Sequence, residues 1–207
     1  MDFLGVRINR DGVSIDPAKI AGIADWLEEL TTVKQVCTVL GVCGYHWMHI
    51  ARFSFITAPL TWLTGKDIPF VWDDECHQAV HNLKKAIITA PILVQPDTSK
   101  QFELEVDASA IATGAIVYQR DPPVTLPSSK EKPGPRRPVS FHSQKFTSTE
   151  RNYPIYDREF LAVMIHPNFS HPFPSPLRLH LLQYMHQHQH QPHNQFQSSQ
   201  KPRLSHI

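Results

Sequence analysis

Apolar and polar positions alternate most cleanly over residues 102–107, where Phe102, Leu104 and Val106 take one face of a β-strand and Glu103, Glu105 and Asp107 the other. That pattern predicts a strand with its apolar face on a core and its acids on the opposite side. Ala108, Ser109, Ala110 and Ala112 interrupt it, and a second β-rich run over residues 114–118 reads as an antiparallel partner, with Gly114 as a bulge or a point of close approach. Residues 139–142 predict a third short strand. Near the N-terminus, β-rich residues 3–8 and 13–15 flank Asn9-Arg10-Asp11-Gly12, a strong hairpin signal.

Elsewhere the period lengthens to that of a helix. Asp16 as cap and Pro17 as first helical residue start a helix whose stripe is Ile20, Ile23, Ala24 and Leu27. A second helix begins after Thr31-Thr32, carries Val33, Val36, Cys37 and Leu40 toward a core, and ends near Gly41. Residues 73–90 give the clearest amphipathic pattern, through Cys76, Ala79, Val80, Leu83, Ala86 and Ile87, and Pro91 stops it. Thr147-Ser148-Thr149-Glu150 has capping-box spacing and announces one more helix, which tolerates Pro154 near its start. On that helix Ile155, Glu159 and Val163 share a side, with Tyr156, Phe160 and Met164 beside them. Residues 95–100 mark a boundary between a helical first part and the strands, so the fold class is α+β.

Composition changes the picture mainly at the C-terminus. The 207 residues leave room for one or two small domains, and 41% are apolar, enough for a modest core. No segment has the ~18 consecutive apolar residues of a membrane span, and no secretory pattern opens the chain, so the expectation is an intracellular protein, cytoplasmic or nuclear, without a membrane partner. Cys37, Cys43 and Cys76 form no CxxC pair and are expected to be reduced thiols. All 19 Asp and Glu precede Ile165, against 17 Lys and Arg, so no strongly basic domain emerges. Lys130, Lys132, Arg136 and Arg137 offer a phosphate-seeking patch, set among prolines that predict a solvated loop. After Ile165 come eight of the 13 His with no Asp, Glu or Gly, a composition that predicts a low-complexity, disordered tail over residues 166–207.

Candidate chemistry is sparse. A carboxylate on a strand, such as Asp107, can hold a divalent cation, although an Asp opening a turn accounts for the same pattern. His77 and His81 stand four apart on a helix, yet Gln78 replaces the general-base Glu of a zinc protease and no third ligand follows. Asp73-Asp74 opens a helix, where acids suit the positive end.

VDASAIATGAIVYQ, followed by RPVSFHSQKFTSTERNYPIYDREFLAV, resembles the start of the ribonuclease H domain of Ty3/gypsy-type retrotransposon Pol polyproteins and related retroviruses. FLGVRINRDGVSIDPAKIAGIADW, VLGVCGY and FSFITAPLTWLTGKDIPFVWDDECHQAVHNLKKAIITAPIL resemble the end of the reverse transcriptase in the same polyproteins. The blocks run in order from about residue 3 to about residue 165. The resemblance implies the last palm hairpin over residues 1–16, a helical thumb or connection over 17–95, and the N-terminal half of a ribonuclease H-like mixed sheet with one helix over 101–165. It assigns metal-binding acids to Asp107 and Glu159, with two Mg²⁺ as cofactor and an RNA·DNA hybrid or template-primer as partner. A third acid would come from a later strand beside that of Asp107. No acid follows Glu159, so that strand is expected to be missing and the Asp107 strand to become an edge. Paired polymerase aspartates are absent, and Trp47 and Met48 stand where the family has two cations. Three readings stay open: an inactive Pol fragment, a subunit that works with other Pol segments, and a non-enzymatic binding module.

Overall fold

The computed structural model describes residues 1–26, 28–125, 131–166 and 177–181. Three short antiparallel strands open the chain: β1 (Asp2–Phe3), β2 (Val6–Asn9) and β3 (Gly12–Ile15). Asn9 shapes the expected turn, its Oδ1 accepting the backbone N–H groups of Asp11 and Gly12 at 3.0 Å each. Gly12 has φ +136°, and a Cβ there would lie 2.1 Å from the Leu93 carbonyl oxygen. That contact exists because Val13 and Leu93 exchange backbone hydrogen bonds of 2.7 and 2.8 Å, which tie the hairpin to the segment after the helices.

The helices are α1 (Pro17–Ala24), α2 (Val33–Tyr45), α3 (Phe53–Ile56), α4 (Ala58–Leu63) and α5 (Asp74–Ile88), with a 3₁₀ turn at Trp47–His49. Asp16 and Asp73 accept backbone N–H groups as N-caps, and Thr32 with Gln35 forms a capping box. One core gathers Ile15, Ile23, Val36, Val39, Cys43, Leu60, Leu63, Cys76, Val80, Leu83 and Ile87. α2 does not end near Gly41. Cys43 lies two turns after Val36 on the same stripe, and its burial outweighs the ~1 kcal/mol propensity cost of a helical glycine. Cys37 falls off that stripe and is exposed, contrary to expectation. Leu27 lies outside the described residues.

The second part is built from β4 (Phe102–Ala108), β5 (Ala112–Arg120), a small hairpin of β6 (Val124–Thr125) and β7 (Glu131–Lys132), β8 (Arg136–Lys145), α6 (Ser148–Arg151), α7 (Ile155–Ile165) and β9 (Leu177–Leu181). Phe102, Leu104, Val106, Ala115, Val117, Val139 and Ala162 make its core, as the alternation predicts for β4. The single expected helix is two. The Thr147–Glu150 capping box opens α6, and Pro154, which lacks an N–H and disfavours helix at the residue before it, separates α6 from α7. The irregularity in the β5–β8 ladder lies at Val117/Tyr118 rather than at Gly114. Nor is Gly114 a point of close approach, because a Cβ there would make only an ordinary van der Waals contact, 3.6 Å from the Arg52 Cγ.

Sheet order is β8-β5-β4-β9, so β4 is internal and the expected edge does not occur. β9 pairs in parallel with β4, from Phe102↔Leu177 to Val106↔Leu181. The reason is visible in its sequence: Leu177-Arg178-Leu179-His180-Leu181 alternates with period two, which the His, Gln and Pro content of the whole tail conceals. A parallel pair needs a crossover, and the stretch containing α7 supplies one. The rest of the expected tail, residues 167–176 and 182–207, lies outside the described residues. Among the described residues no helix is long and apolar enough to cross a membrane.

Candidate functional site

Asp107 sits near the end of β4, opposite Gly114 of β5, with its side chain 37% exposed. Its carboxylate already faces a positive charge: Arg52 Nη2 lies 3.3 Å from Asp107 Oδ2. Beyond it the small-residue break closes on Ser109, whose hydroxyl donates to the Ala112 carbonyl at 2.8 Å and accepts the Ala112 N–H at 3.0 Å. Arg52, Phe55, Asp107, Ser109, Ala112, Thr113 and Gly114 line a small open recess.

α7, which carries Glu159, packs across β4. The neighbouring Arg158 donates from Nη1 to the Ser109 carbonyl at 3.3 Å, anchoring the helix just past Asp107. Glu159 is half-buried. Arg158 is therefore turned to the backbone rather than to Glu159.

A buried chain of hydrogen bonds starts from the backbone of Asp107. The Thr113 hydroxyl donates to the Asp107 carbonyl oxygen at 3.0 Å and so accepts from His166 Nε2, also at 3.0 Å. His166 then presents an unprotonated Nδ1, which accepts from His142 Nδ1–H at 2.9 Å. Burial, and secondarily the nearness of His142, pushes the His166 imidazole down to about 3; burial also lowers His142. Trp47 stands edge-on to His142, with ring centroids 5.4 Å apart. Trp47 is thus a packing wedge between the helical part and the sheet, while Met48 is exposed.

The acidic face of β4 is more structural than its alternation suggests. Glu103 is 6% exposed and held by Arg120 and Arg136, the latter at 2.8 Å, and Arg136 also reaches Glu105 at 2.9 Å. Burial opposes the Glu103 charge, but the two guanidinium groups prevail and hold its carboxyl below the usual range. Arg137 lies 3.6 Å from Asp121. Arg136 and Arg137 are therefore engaged by internal acids, which removes them from the expected phosphate-seeking patch; Lys130 lies outside the described residues.

His77 meets Trp72 edge-on at 5.5 Å. Among the described residues no group of three or more His, Cys, Asp or Glu could hold a metal ion. Asp107 and Glu159, the first already facing a guanidinium, do not fit a pair of magnesium ions, each of which seeks about six oxygen ligands. Sequence reasoning named both acids but not Arg52, His142, Thr113 and His166, which lie in four separate segments and share no local pattern.

Residues 72–171 match the family model of the RNase H-like domain found in reverse transcriptase. The chain is similar to the retrovirus-related Pol polyprotein from transposon opus of Drosophila melanogaster, 29% identical over 175 residues that cover 79% of this chain and 16% of that protein. It is likewise similar to the transposon Tf2-3 polyprotein of Schizosaccharomyces pombe, 30% identical over 162 residues, or 78% of this chain and 11% of that one. The chain thus spans less than a fifth of either relative. In fold it resembles the foamy viral protease-reverse transcriptase solved with double-stranded DNA, with a TM-score of 0.67 and 18% identity over 87% of this chain and 30% of the viral one. The same viral protein in complex with an RNA/DNA hybrid gives a TM-score of 0.66 over 87% of this chain and 23% of that one. This chain therefore carries the RNase H-like domain found in reverse transcriptase, and its homologues are retrotransposon Pol polyproteins.

Proposed function

We propose that this chain is the junction of reverse transcriptase and ribonuclease H from a Ty3/gypsy-type Pol protein, retaining Asp107 and Glu159 as remnant ribonuclease H acids and hydrolysing no RNA by itself. One observation carries the reading. The strand position beside β4, to which the resemblance assigns a third acid, is filled by Leu-Arg-Leu-His-Leu, without Asp or Glu. Two carboxylates, one of them already facing a guanidinium, are too little negative charge to gather two divalent cations in the manner of two-metal hydrolysis. Contact with an RNA·DNA hybrid is weak and salt-dependent, because Arg136 and Arg137 already face internal acids.

A second reading, action together with Pol segments supplied by another chain, is favoured by the outer face of α7. Tyr156, Phe160 and Met164 recur there at one-turn spacing and are 76%, 66% and 56% exposed. Incubation of the full chain with a labelled hybrid and Mg²⁺ or Mn²⁺ tests both. No cleavage alone is expected. Cleavage that disappears in Asp107→Asn would refute the first reading, and cleavage that appears only on adding the downstream Pol segment would establish the second.

A further inference from the structure

We propose that Arg52 is a resident counter-ion at Asp107, standing where a divalent cation would bind, so that a cation reaches this carboxylate only by displacing it. The inference rests on reading Asp107 as a metal-binding acid. Four features place the guanidinium there independently of the 3.3 Å ion pair itself. Arg52 has φ +57°, a left-handed conformation that favours Gly or Asn, so the backbone is held in a disfavoured region at this residue. Its guanidinium carbon lies 4.9 Å from the centre of the Phe55 ring, which fixes the direction of the side chain. The stem packs over Gly114, where a Cβ would lie in ordinary van der Waals contact with Arg52 Cγ, 3.6 Å away. Two residues on, the Ser54 N–H donates to Ser143 Oγ at 2.8 Å and the Ser143 hydroxyl donates to Ser54 Oγ at 3.1 Å, docking the start of α3 on β8.

A guanidinium cannot lose its proton at ordinary pH, so the competition is between charges and not between protonation states. Asp107 and Arg52 are 37% and 53% exposed, and solvent weakens the pair without abolishing it. Removing Arg52 therefore tightens divalent binding by a small factor, roughly 1.5- to 5-fold, the range for a partly exposed ion pair.

Mn²⁺ binding to the full chain, followed by electron paramagnetic resonance of the free ion, tests this without reference to activity. Arg52→Asn suits the left-handed backbone and removes the charge; Arg52→Gln is a second neutral variant, and Arg52→Lys keeps the charge. Tighter binding in both neutral variants, wild-type affinity in Arg52→Lys and weaker binding in Asp107→Asn are expected. If Asp107→Asn weakens binding while both neutral variants leave it unchanged, the counter-ion role is wrong and the reading of Asp107 survives. If Asp107→Asn leaves Mn²⁺ affinity unchanged, Asp107 is no metal ligand and both fall. Urea unfolding of each variant identifies a folding defect, and one neutral variant that folds is enough to decide between these outcomes.

Discussion

Acidification should weaken this fold through His166, and the sign follows from its burial. The ring is 2% exposed and titrates at about 3 in the folded chain, whereas a histidine in the unfolded chain titrates near 6.5. The unfolded state therefore takes up the proton first. The contribution of neutral His166 to stability is complete above about pH 6.5 and is lost progressively as pH falls from there toward about 3. Between about pH 7 and about pH 5 that loss amounts to about 2 kcal/mol, since each pH unit inside the window costs about 1.4 kcal/mol. Geometry agrees: a protonated His166 would point an Nδ1–H at the Nδ1–H of His142, 2.9 Å away. His46, His49 and His142 are also lowered, each first by burial, so the wild type loses more than His166 alone accounts for. The His166→Gln variant isolates the effect, because an amide N–H can still serve Thr113 but does not titrate. Urea unfolding followed by far-ultraviolet circular dichroism at both pH values should show the wild type losing about 2 kcal/mol more than His166→Gln. Equal losses in the two proteins would refute the assignment of a neutral, buried His166.

Gly12→Ala should destabilise the chain by about 2 kcal/mol or more, because a Cβ would meet the Leu93 carbonyl oxygen at 2.1 Å on a backbone with φ +136°; thermal unfolding measures it, and a neutral result would mean that the hairpin is not tied to Leu93. Glu103→Gln should cost about 1–3 kcal/mol by leaving Arg120 and Arg136 without their shared carboxylate in a site where the glutamate side chain is 8% exposed. Its loss should be largest at neutral pH and shrink in acid, where the wild-type carboxyl, held below its ordinary range, also becomes protonated.

Local pattern was enough for the pieces whose burial repeats along the chain. The α5 stripe, the alternation of β4 and the caps at Asp16, Asp73 and Thr147 each follow from a few consecutive residues, and the structure keeps all of them. Resemblance of ordered blocks supplied the family and pointed to Asp107 and Glu159. The strand at Leu177–Leu181 was legible in principle, through five alternating residues, but averaging over a His- and Gln-rich stretch hid it. Other features had no local signature. Arg52 meets Asp107 across 55 positions, His142 meets His166 across two elements, and Glu103 becomes a buried acid because β5 and β8 deliver Arg120 and Arg136 to it. Charge and hydrogen-bonding capacity are properties that a side chain brings from the sequence. Which partner meets them is set by strand register and by the docking of α3 and α7 on the sheet, and those depend on contacts between segments far apart in the chain.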